Sequence, residues 1–152
     1  MRVLIAEDET LIRMDLLLAE VVNKAHTEAW QTVSRAMAAT NDPRHALGAF
    51  VESLTKWADG RRHEASLLLQ GQPISDGAGR EAVRRAGAAY RDCVTELVRR
   101  GQSDGQLKRD VDPELASAAI LGAVAAVTSP ARDVRGRDGR TLPSLVLAGL
   151  VV

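Results

Sequence analysis

The sequence predicts an all-α fold, a multi-helix bundle, and three observations support that prediction. Alanine is abundant and aromatic residues make up only 3% of the 152 residues, a composition that favours helices over strands. Apolar residues recur every three or four positions in several stretches, and no alternation typical of a strand follows Ala6. We therefore expect five or six helices joined by short loops, preceded by a short segment that lies outside the bundle or extends its first helix.

The first three helices follow from apolar stripes and from start and stop signals. The helix over about residues 10–39 has one apolar stripe, which consists of Val22, Ala25, Ala29, Val33, Ala36 and Met37. Asp42 suits an N-cap, and Pro43 suits the first helical position, where its missing N–H costs nothing. The stripe of this second helix is Leu47, Phe50, Val51, Leu54, Trp57 and Ala58, and Gly60 predicts its end. A shorter helix over residues 61–70 precedes a loop rich in Gly and Pro.

The second half of the chain predicts three more helices. A long helix is expected over about residues 79–100, with Gly101 as its end. The pair Asp112-Pro113 repeats the cap-and-proline start, so another helix follows to about residue 127. Because that helix is apolar almost all round, we expect it to be covered on more than one side. A polar loop with Arg132, Arg135, Arg137 and Arg140 then leads to a last apolar helix over residues 142–152.

The composition excludes several classes of protein. Lys and Arg together equal Asp and Glu, which argues against a chain built mainly to hold a polyanion. A single cysteine, Cys93, excludes disulfide scaffolds and favours a reducing compartment; we expect it to be a buried, inert thiol. No apolar run approaches the roughly 20 residues that span a bilayer. We expect a cytoplasmic protein with no membrane segment, no metal site, no cofactor and no catalytic residues, and therefore not an enzyme.

The opening stretch MRVLIAEDETLIRMDL has an apolar run followed by acidic residues. Over residues 1–17 it resembles the first strand and first helix of a response-regulator receiver domain. In that family the acidic pair, here Glu7 and Asp8, holds Mg²⁺, an ion that prefers carboxylate oxygens. A receiver also needs a phosphoacceptor Asp and a Lys at the ends of later strands, whereas Asp59 follows a helical pattern and Lys108 lies in a polar turn. A phosphoacceptor domain is therefore only the alternative function, and we expect these acids to be a solvated helix start.

Four later stretches resemble a different family. They are AEVVNKAHTEAW, NDPRHALGAFVESLTKW, YRDCVTELVRRGQSDGQLKRDVDPELASAAILGAVAAV and LPSLVLAGL. In this order they resemble the C-terminal ligand-binding and dimerisation domain of tetracycline-repressor-like (TetR) transcriptional regulators, over about residues 18–152. The third stretch carries the most specific pattern of turn and helix start, which consists of Gly101, Gly105, Leu107, Asp110, Asp112 and Pro113.

This resemblance divides the chain into a receiver-like fragment, residues 1–20, and a TetR-like helical domain, residues 21–152. The family places a helix-turn-helix DNA-binding head before this domain. Helix-turn-helix binding needs a recognition helix set against a second helix, and residues 1–20 are too few for both. We therefore expect a TetR-like effector-sensing domain that lacks its own head and does not bind specific DNA sequences alone.

The resemblance also implies a pocket for a small lipophilic effector inside the bundle. The residues expected to line it are the large apolar ones and two polar ones: Trp30, Met37, Phe50, Leu54, Trp57, His63, Leu68 and Tyr90. Tyr90 and His63 would supply the polar groups that such pockets contain. Packing alone is an alternative explanation of the apolar members, because burying a large apolar side chain contributes roughly 1.5–3 kcal/mol.

The family pairs its last long helices across a two-fold axis, which implies a homodimer here. The helix that begins at Asp112-Pro113 is rich in small residues, which let two helices approach closely. The predicted interface is Val94, Leu97, Val98, Leu115, Ala119, Gly122, Ala123 and Ala126. Two-fold pairing is also the commonest form of oligomer. The alternative is that this helix lies at the centre of a monomeric bundle.

Overall fold

The computed structural model describes residues 2–70, 77–129 and 141–152, and these residues form six helices. They are α1 (Arg2–Met37), α2 (Pro43–Gly60), α3 (Arg62–Gln70), α4 (Ala78–Ser103), α5 (Pro113–Thr128) and α6 (Thr141–Leu150). Within the described ranges the β-type pairing is one isolated bridge between Leu107 and Val151. The predicted all-α class is therefore confirmed. The predicted arginine-bearing loop, with Arg132, Arg135, Arg137 and Arg140, lies outside the described residues.

The opening segment is helical, so the receiver-like first strand predicted for it is wrong. α1 runs without a break from Arg2 to Met37, which matches the expectation that the segment extends the first helix. The physical reason is that a strand needs a neighbour for its backbone N–H and C=O groups, whereas a helix pairs them internally. Glu7 and Asp8 consequently lie exposed on the surface of a helix, and not at the end of a strand.

Both predicted aspartate caps are confirmed. The Asp42 carboxylate accepts hydrogen bonds from the backbone N–H groups of the two residues after Pro43. The Asp112 carboxylate does the same for the two residues after Pro113. Each cap contributes about 1 kcal/mol to the stability of its helix. These caps fix where α2 and α5 begin, and therefore which side chains face the core.

The expectation that Gly101 ends the fourth helix is wrong, because α4 continues to Ser103. The chain leaves α4 through Gly105, which has a φ of +73°, a value that favours glycine. Gly101 is needed for another reason. A Cβ atom there would lie 2.6 Å from Cδ1 of Leu107, so the absent side chain lets the turn after α4 fold back over the helix.

The core lies where α1, α2 and α4 pack together, with α3 and α5 beside them. Its largest side chains with less than 2% exposure are Leu47, Phe50, Leu54, Tyr90 and Leu107, together with six valines. α5 contributes Ala116, Ile120 and Val124 to this core. Its other face is exposed within the described structure, which differs from the expectation that α5 is covered on more than one side.

α1 and α4 are joined at the N-terminus of α4. The Asp15 carboxylate accepts hydrogen bonds from the backbone N–H groups of Ala78 at 2.7 Å and Gly79 at 3.0 Å. It thereby caps α4 from another helix, because Gly77 has no side chain with which to cap it. A Cβ atom on Gly79 would lie 2.9 Å from Leu18 Cδ2. Asp15, which falls in the predicted receiver-like fragment, is therefore part of the packed bundle.

Candidate functional site

Four aromatic rings from three helices meet in the core and form what we call the aromatic cluster: His26 and Trp30 from α1, Phe50 from α2 and Tyr90 from α4. The centroid of the Tyr90 ring lies 5.3 Å from that of His26, 5.7 Å from Trp30 and 6.3 Å from Phe50. The contacts to His26 and Phe50 are edge-to-face, a geometry that aromatic rings favour. The cluster therefore ties α1, α2 and α4 together at one point.

One hydrogen bond lies inside this cluster. His26 Nδ1 is 3.2 Å from the Tyr90 hydroxyl oxygen, so the neutral imidazole accepts the Tyr90 O–H when its proton is on Nε2. Burial lowers the pKa of the His26 ring and raises the pKa of the Tyr90 phenol, because desolvation disfavours the charged form of each. Both groups are accordingly neutral near pH 7. The cluster offers a ligand aromatic surface and two uncharged polar groups.

The structure brings three of the predicted pocket residues, Trp30, Phe50 and Tyr90, into the aromatic cluster. Leu54 and Trp57 continue the buried face of α2, and Leu68 is buried on α3. Met37 contacts a different part of α4, where its Sδ lies 3.8 Å from Cys93 Sγ. The Cys93 thiol is half-buried, and burial raises its pKa.

The polar residue of the cluster on α1 is His26, which sequence reasoning did not single out. The predicted polar residue, His63, is exposed on α3. The available signal was the position of His26 four residues before Trp30, which puts both side chains on one side of a helix. Its neighbour Ala25 belongs to the apolar stripe, so the position of His26 beside that stripe indicates a polar side chain at the edge of the core.

Trp57 supplies a further polar group close to this core. The residue is only 6% exposed, and its Nε1–H has no hydrogen-bond partner among the described atoms. The Arg61 guanidinium lies 5.9 Å from the centre of the Trp57 ring and pairs with the Glu28 carboxylate at 3.3 Å. A buried donor without a partner costs about 1–3 kcal/mol, so this indole N–H is available to an acceptor atom of a ligand.

A second feature is an open groove between α4 and α5 at the surface. Its volume is about 560 Å³, and it is lined by Arg91, Asp92, Thr95, Glu96, Arg99, Glu114 and Ser117. Arg99 pairs with Glu114 at 3.6 Å, and the Ser117 hydroxyl donates to the backbone carbonyl of Arg91 at 3.1 Å. The groove is charged, in contrast to the aromatic cluster.

The predicted dimer residues separate into two groups around this groove. Val94, Leu97 and Val98 are buried in the core of the chain itself, because α4 has a single apolar stripe and its own bundle covers it. The predicted interface residues on α5 lie mostly outside the core. Leu115, Ala119, Gly122 and Ala126 are exposed and Ala123 is half-buried. The surface of α4 beside the exposed face of α5 is therefore charged, whereas the α4 residues that the sequence predicted for the interface are apolar.

Across residues 2–70, 77–129 and 141–152, no helix is both long and apolar enough to span a membrane. The same residues contain no group of three or more His, Cys, Asp or Glu side chains placed to hold a metal ion.

Comparisons with known proteins identify the family. Residues 40–129 match the family model described as "Tetracyclin repressor-like, C-terminal domain". No protein with curated annotation matches the chain significantly.

Solved structures agree with that match in fold. A TetR/AcrR-family regulator from Thermobifida fusca YX-ER1 is 25% identical, with 87% of this chain and 72% of that chain covered and a TM-score of 0.71. AibR, solved with isovaleryl coenzyme A and operator DNA, is 16% identical, with coverage of 90% and 74% and a TM-score of 0.73. FadR from Bacillus subtilis, solved with stearoyl-CoA, is 16% identical, with coverage of 90% and 74% and a TM-score of 0.71.

The family match confirms the resemblance to TetR regulators, whereas the receiver-like fragment finds no support, since its first strand is part of a helix. The match spans more than half of the chain. The chain therefore belongs to the tetracycline-repressor-like C-terminal domain family, and it is the ligand-binding domain of a TetR-family transcriptional regulator and not an enzyme.

Proposed function

We propose that this domain senses a small lipophilic effector, which binds at the aromatic cluster, and that it acts as a homodimer. The observation that carries the proposal is the His26–Tyr90 contact, which joins α1 to α4 inside a cluster that α2 completes. A ligand that inserts beside Tyr90 must separate helices that now touch. Effector binding and the relative position of the helices are therefore linked.

The polar groups near the cluster favour an uncharged ligand group with an acceptor oxygen. Trp57 has a buried N–H without a described partner, whereas Tyr90 and His26 are uncharged and hydrogen-bonded to each other. The buried polar residues elsewhere in the described core are Thr55, Thr95, Ser117 and Thr128, which carry no charge. A charged group would lose its hydration there without gaining an opposite charge, which is costly. Any charged part of the effector should therefore remain outside the core.

Movement of α1 is the expected consequence of binding. α1 and α4 run in the same direction, and their contacts include the Asp15 cap and the His26–Tyr90 bond. The two points are separated by 11 residues on α1, roughly 16 Å of helix. Because the first point is a hydrogen-bonded cap, a ligand at the second point tilts α1 about it. The effector thereby favours one orientation of the N-terminal half of α1.

Isovaleryl-CoA and stearoyl-CoA are suitable first probes, because two structurally similar proteins were solved with them. We expect an acyl chain of suitable length to bind with micromolar affinity in calorimetry. Tyr90→Phe keeps the ring but removes the hydroxyl, and it should weaken binding by about tenfold, the value of one net hydrogen bond. His26→Gln should weaken binding as well.

His63→Gln is the matched control, since His63 is exposed on α3. It should leave the affinity unchanged. If His63→Gln lowers the affinity and the two cluster variants do not, the effector site lies elsewhere in the domain.

We also propose that the chain alone does not bind specific DNA sequences, and that it acts in the cytoplasm. The support is that residues 2–37 form one continuous helix, whereas helix-turn-helix recognition needs two helices set against each other. A mobility-shift assay with a TetR-family operator library should show no complex that survives about 0.2 M salt. A salt-resistant complex with one sequence would contradict this.

A further inference from the structure

The C-terminal end of α2 brings together an unpaired hydrogen-bond donor and a cation. The Trp57 indole is buried in the core, and its Nε1–H has no hydrogen-bond partner among the described atoms. Arg61 follows four residues later, and its guanidinium lies 5.9 Å from the centre of the Trp57 ring. The electron-rich face of an indole attracts a cation at this distance, so Arg61 is held beside Trp57. Together they offer an anion one positive charge and one neutral donor.

Glu28 is a weakly held partner of Arg61. Arg61 Nε lies 3.3 Å from the Glu28 carboxylate, and the two side chains are 48% and 39% exposed. Strong charge-assisted hydrogen bonds are shorter, at about 2.7–2.9 Å, and ion pairs that are exposed to this degree contribute little to stability. Glu28 can therefore turn into solvent at small cost and leave the guanidinium to another carboxylate.

An apolar path connects this end of α2 to the aromatic cluster. Phe50, Leu54 and Trp57 lie at successive turns on one buried face of α2. Phe50 is also a member of the cluster, where its ring contacts Tyr90. Arg61 is 11 residues beyond Phe50, roughly 16 Å along the helix. This arrangement suits an extended ligand with its charged end at Arg61 and its apolar body directed toward the cluster.

We propose that Arg61 and the Trp57 N–H bind the carboxylate of the effector, and that the body of the effector follows α2 toward the aromatic cluster. This rests on the proposed effector site and names its ligand class, a lipophilic monocarboxylate. On binding, the carboxylate replaces Glu28 beside Arg61 and accepts the indole N–H, which satisfies the unpaired donor. The core itself disfavours charge, whereas the partly exposed Arg61 supplies the opposite charge at its edge.

The charges at this end of α2 favour a carboxylate over other head groups. A cationic group would be repelled by Arg61. An alcohol would satisfy the indole N–H but would not compensate the guanidinium. A phosphate dianion carries a second negative charge, and the neighbouring Arg62 already pairs with Asp59 at 3.0 Å. One guanidinium balances the single charge of a carboxylate, whose planar geometry it matches.

Calorimetry with ligands of equal chain length tests the head group. Decanoate should bind the wild type with micromolar affinity, and decanol should bind about tenfold more weakly, which is the value of one charge-assisted hydrogen bond. Decyl phosphate should also bind more weakly than decanoate. Hexanoate keeps the head group but has a shorter body, so its affinity should be at least about tenfold lower than that of decanoate.

Substitutions of Arg61 test the same contact from the side of the protein. Arg61→Gln should lower the affinity for decanoate to that for decanol and leave decanol binding unchanged, because only the carboxylate needs the positive charge. Arg61→Lys keeps the charge but loses the planar fork, so it should recover part of the affinity. Glu81→Gln/Arg84→Gln, an exposed glutamate–arginine pair on α4, is the matched control and should change neither affinity.

Glu28 and Trp57 give predictions of opposite sign. Glu28→Gln removes the carboxylate that competes for Arg61, so decanoate should bind about threefold more tightly, a small gain because the displaced pair is exposed. Trp57→Phe keeps an aromatic ring but removes the N–H. It should weaken decanoate and decanol alike by about fivefold, near the value of one net hydrogen bond. Circular dichroism confirms that each variant stays helical.

The carboxylate site and the aromatic cluster can fail separately. The carboxylate site is overturned by an absence of decanoate binding below about 1 mM, by tighter binding of decyl phosphate, or by an unchanged affinity in Arg61→Gln. Those results leave the cluster standing, since Tyr90→Phe and His26→Gln test it with the coenzyme A probes. If those two variants bind their probes normally and Arg61→Gln loses decanoate, the carboxylate site stands and the cluster is not the effector site. Equal affinities for hexanoate and decanoate overturn the path along α2.

Discussion

The two halves of α1 are both rich in apolar residues but have different surroundings. In the C-terminal half, Val22, Ala29 and Val33 have no exposed surface. In the N-terminal part, up to Val21, large apolar side chains are 46–64% exposed, namely Ile5, Leu11, Ile12, Met14, Leu16, Leu17 and Val21. A helix forms in both halves because the backbone pairs internally in either case. The comparison teaches that apolar periodicity predicts a helix, but that neighbouring elements decide whether its apolar side chains stabilise the fold.

The adjacent residues Val21 and Val22 give the sharpest form of this comparison and the largest expected effect. Val22 is fully buried and Val21 is 46% exposed. Val22→Ala should lower the free energy of unfolding by about 2 kcal/mol, through lost apolar burial and the cavity that remains. Val21→Ala should change it by less than about 0.5 kcal/mol. Urea unfolding followed by circular dichroism measures both, and equal effects would show that Val21 is also covered.

The Asp15 cap joins the N-terminal half of α1 to α4, and its loss should have a smaller effect. Asp15→Ala removes the acceptor for the N–H groups of Ala78 and Gly79, so the first turn of α4 loses its cap. The expected cost is about 1 kcal/mol, with faster hydrogen exchange at the start of α4. Asp8→Ala, an exposed aspartate in the same helix, is the control. Unchanged exchange in Asp15→Ala would mean that water replaces the carboxylate without loss.

Much of this fold could be predicted from the sequence, because its signals are local. The Asp42 and Asp112 caps act over three residues, so they were visible without knowing the neighbours. The prediction that Gly101 ends α4 was wrong because the role of Gly101 depends on Leu107. The Leu107 side chain folds back over the helix and leaves no room for a Cβ atom on residue 101. The residues of the opening segment also could not decide between a strand and a helix. An apolar run forms a strand only if a sheet is present, and that depends on the rest of the fold.

The candidate site was less predictable, because it depends on which helices become neighbours. Trp30, Phe50 and Tyr90 were expected to line one site on the basis of size, and they do meet. His26 was missed because its partner, Tyr90, is 64 residues away in sequence. Val94 and Leu97, which were predicted to lie in a dimer interface, show the converse. Their stripe was correctly apolar, but only the packed structure reveals that the protomer itself covers it.

The smallest expected effect concerns His26, which lies four residues beyond Val22 and links the buried half of α1 to α4. Burial holds the pKa of His26 below its ordinary value of 6.5. The unfolded chain therefore binds this proton at a higher pH than the folded chain does. Above pH 6.5 the residue is neutral in both states and costs nothing; as the pH falls through that value, stability is lost until the folded form also binds the proton.

The urea midpoint of the wild type should therefore fall between pH 7.5 and pH 5. In His26→Gln that part of the fall should be absent, whereas His63→Gln should behave like the wild type. Asp42 and Glu81 also have lowered pKa values, but carboxyl groups titrate at lower pH and do so equally in all three proteins. Parallel curves for wild type and His26→Gln would show that protonated His26 keeps its contact with Tyr90, by turning the imidazole N–H toward the hydroxyl oxygen. The contact would then hold α1 against α4 in either protonation state, and the link between the helices would be independent of pH.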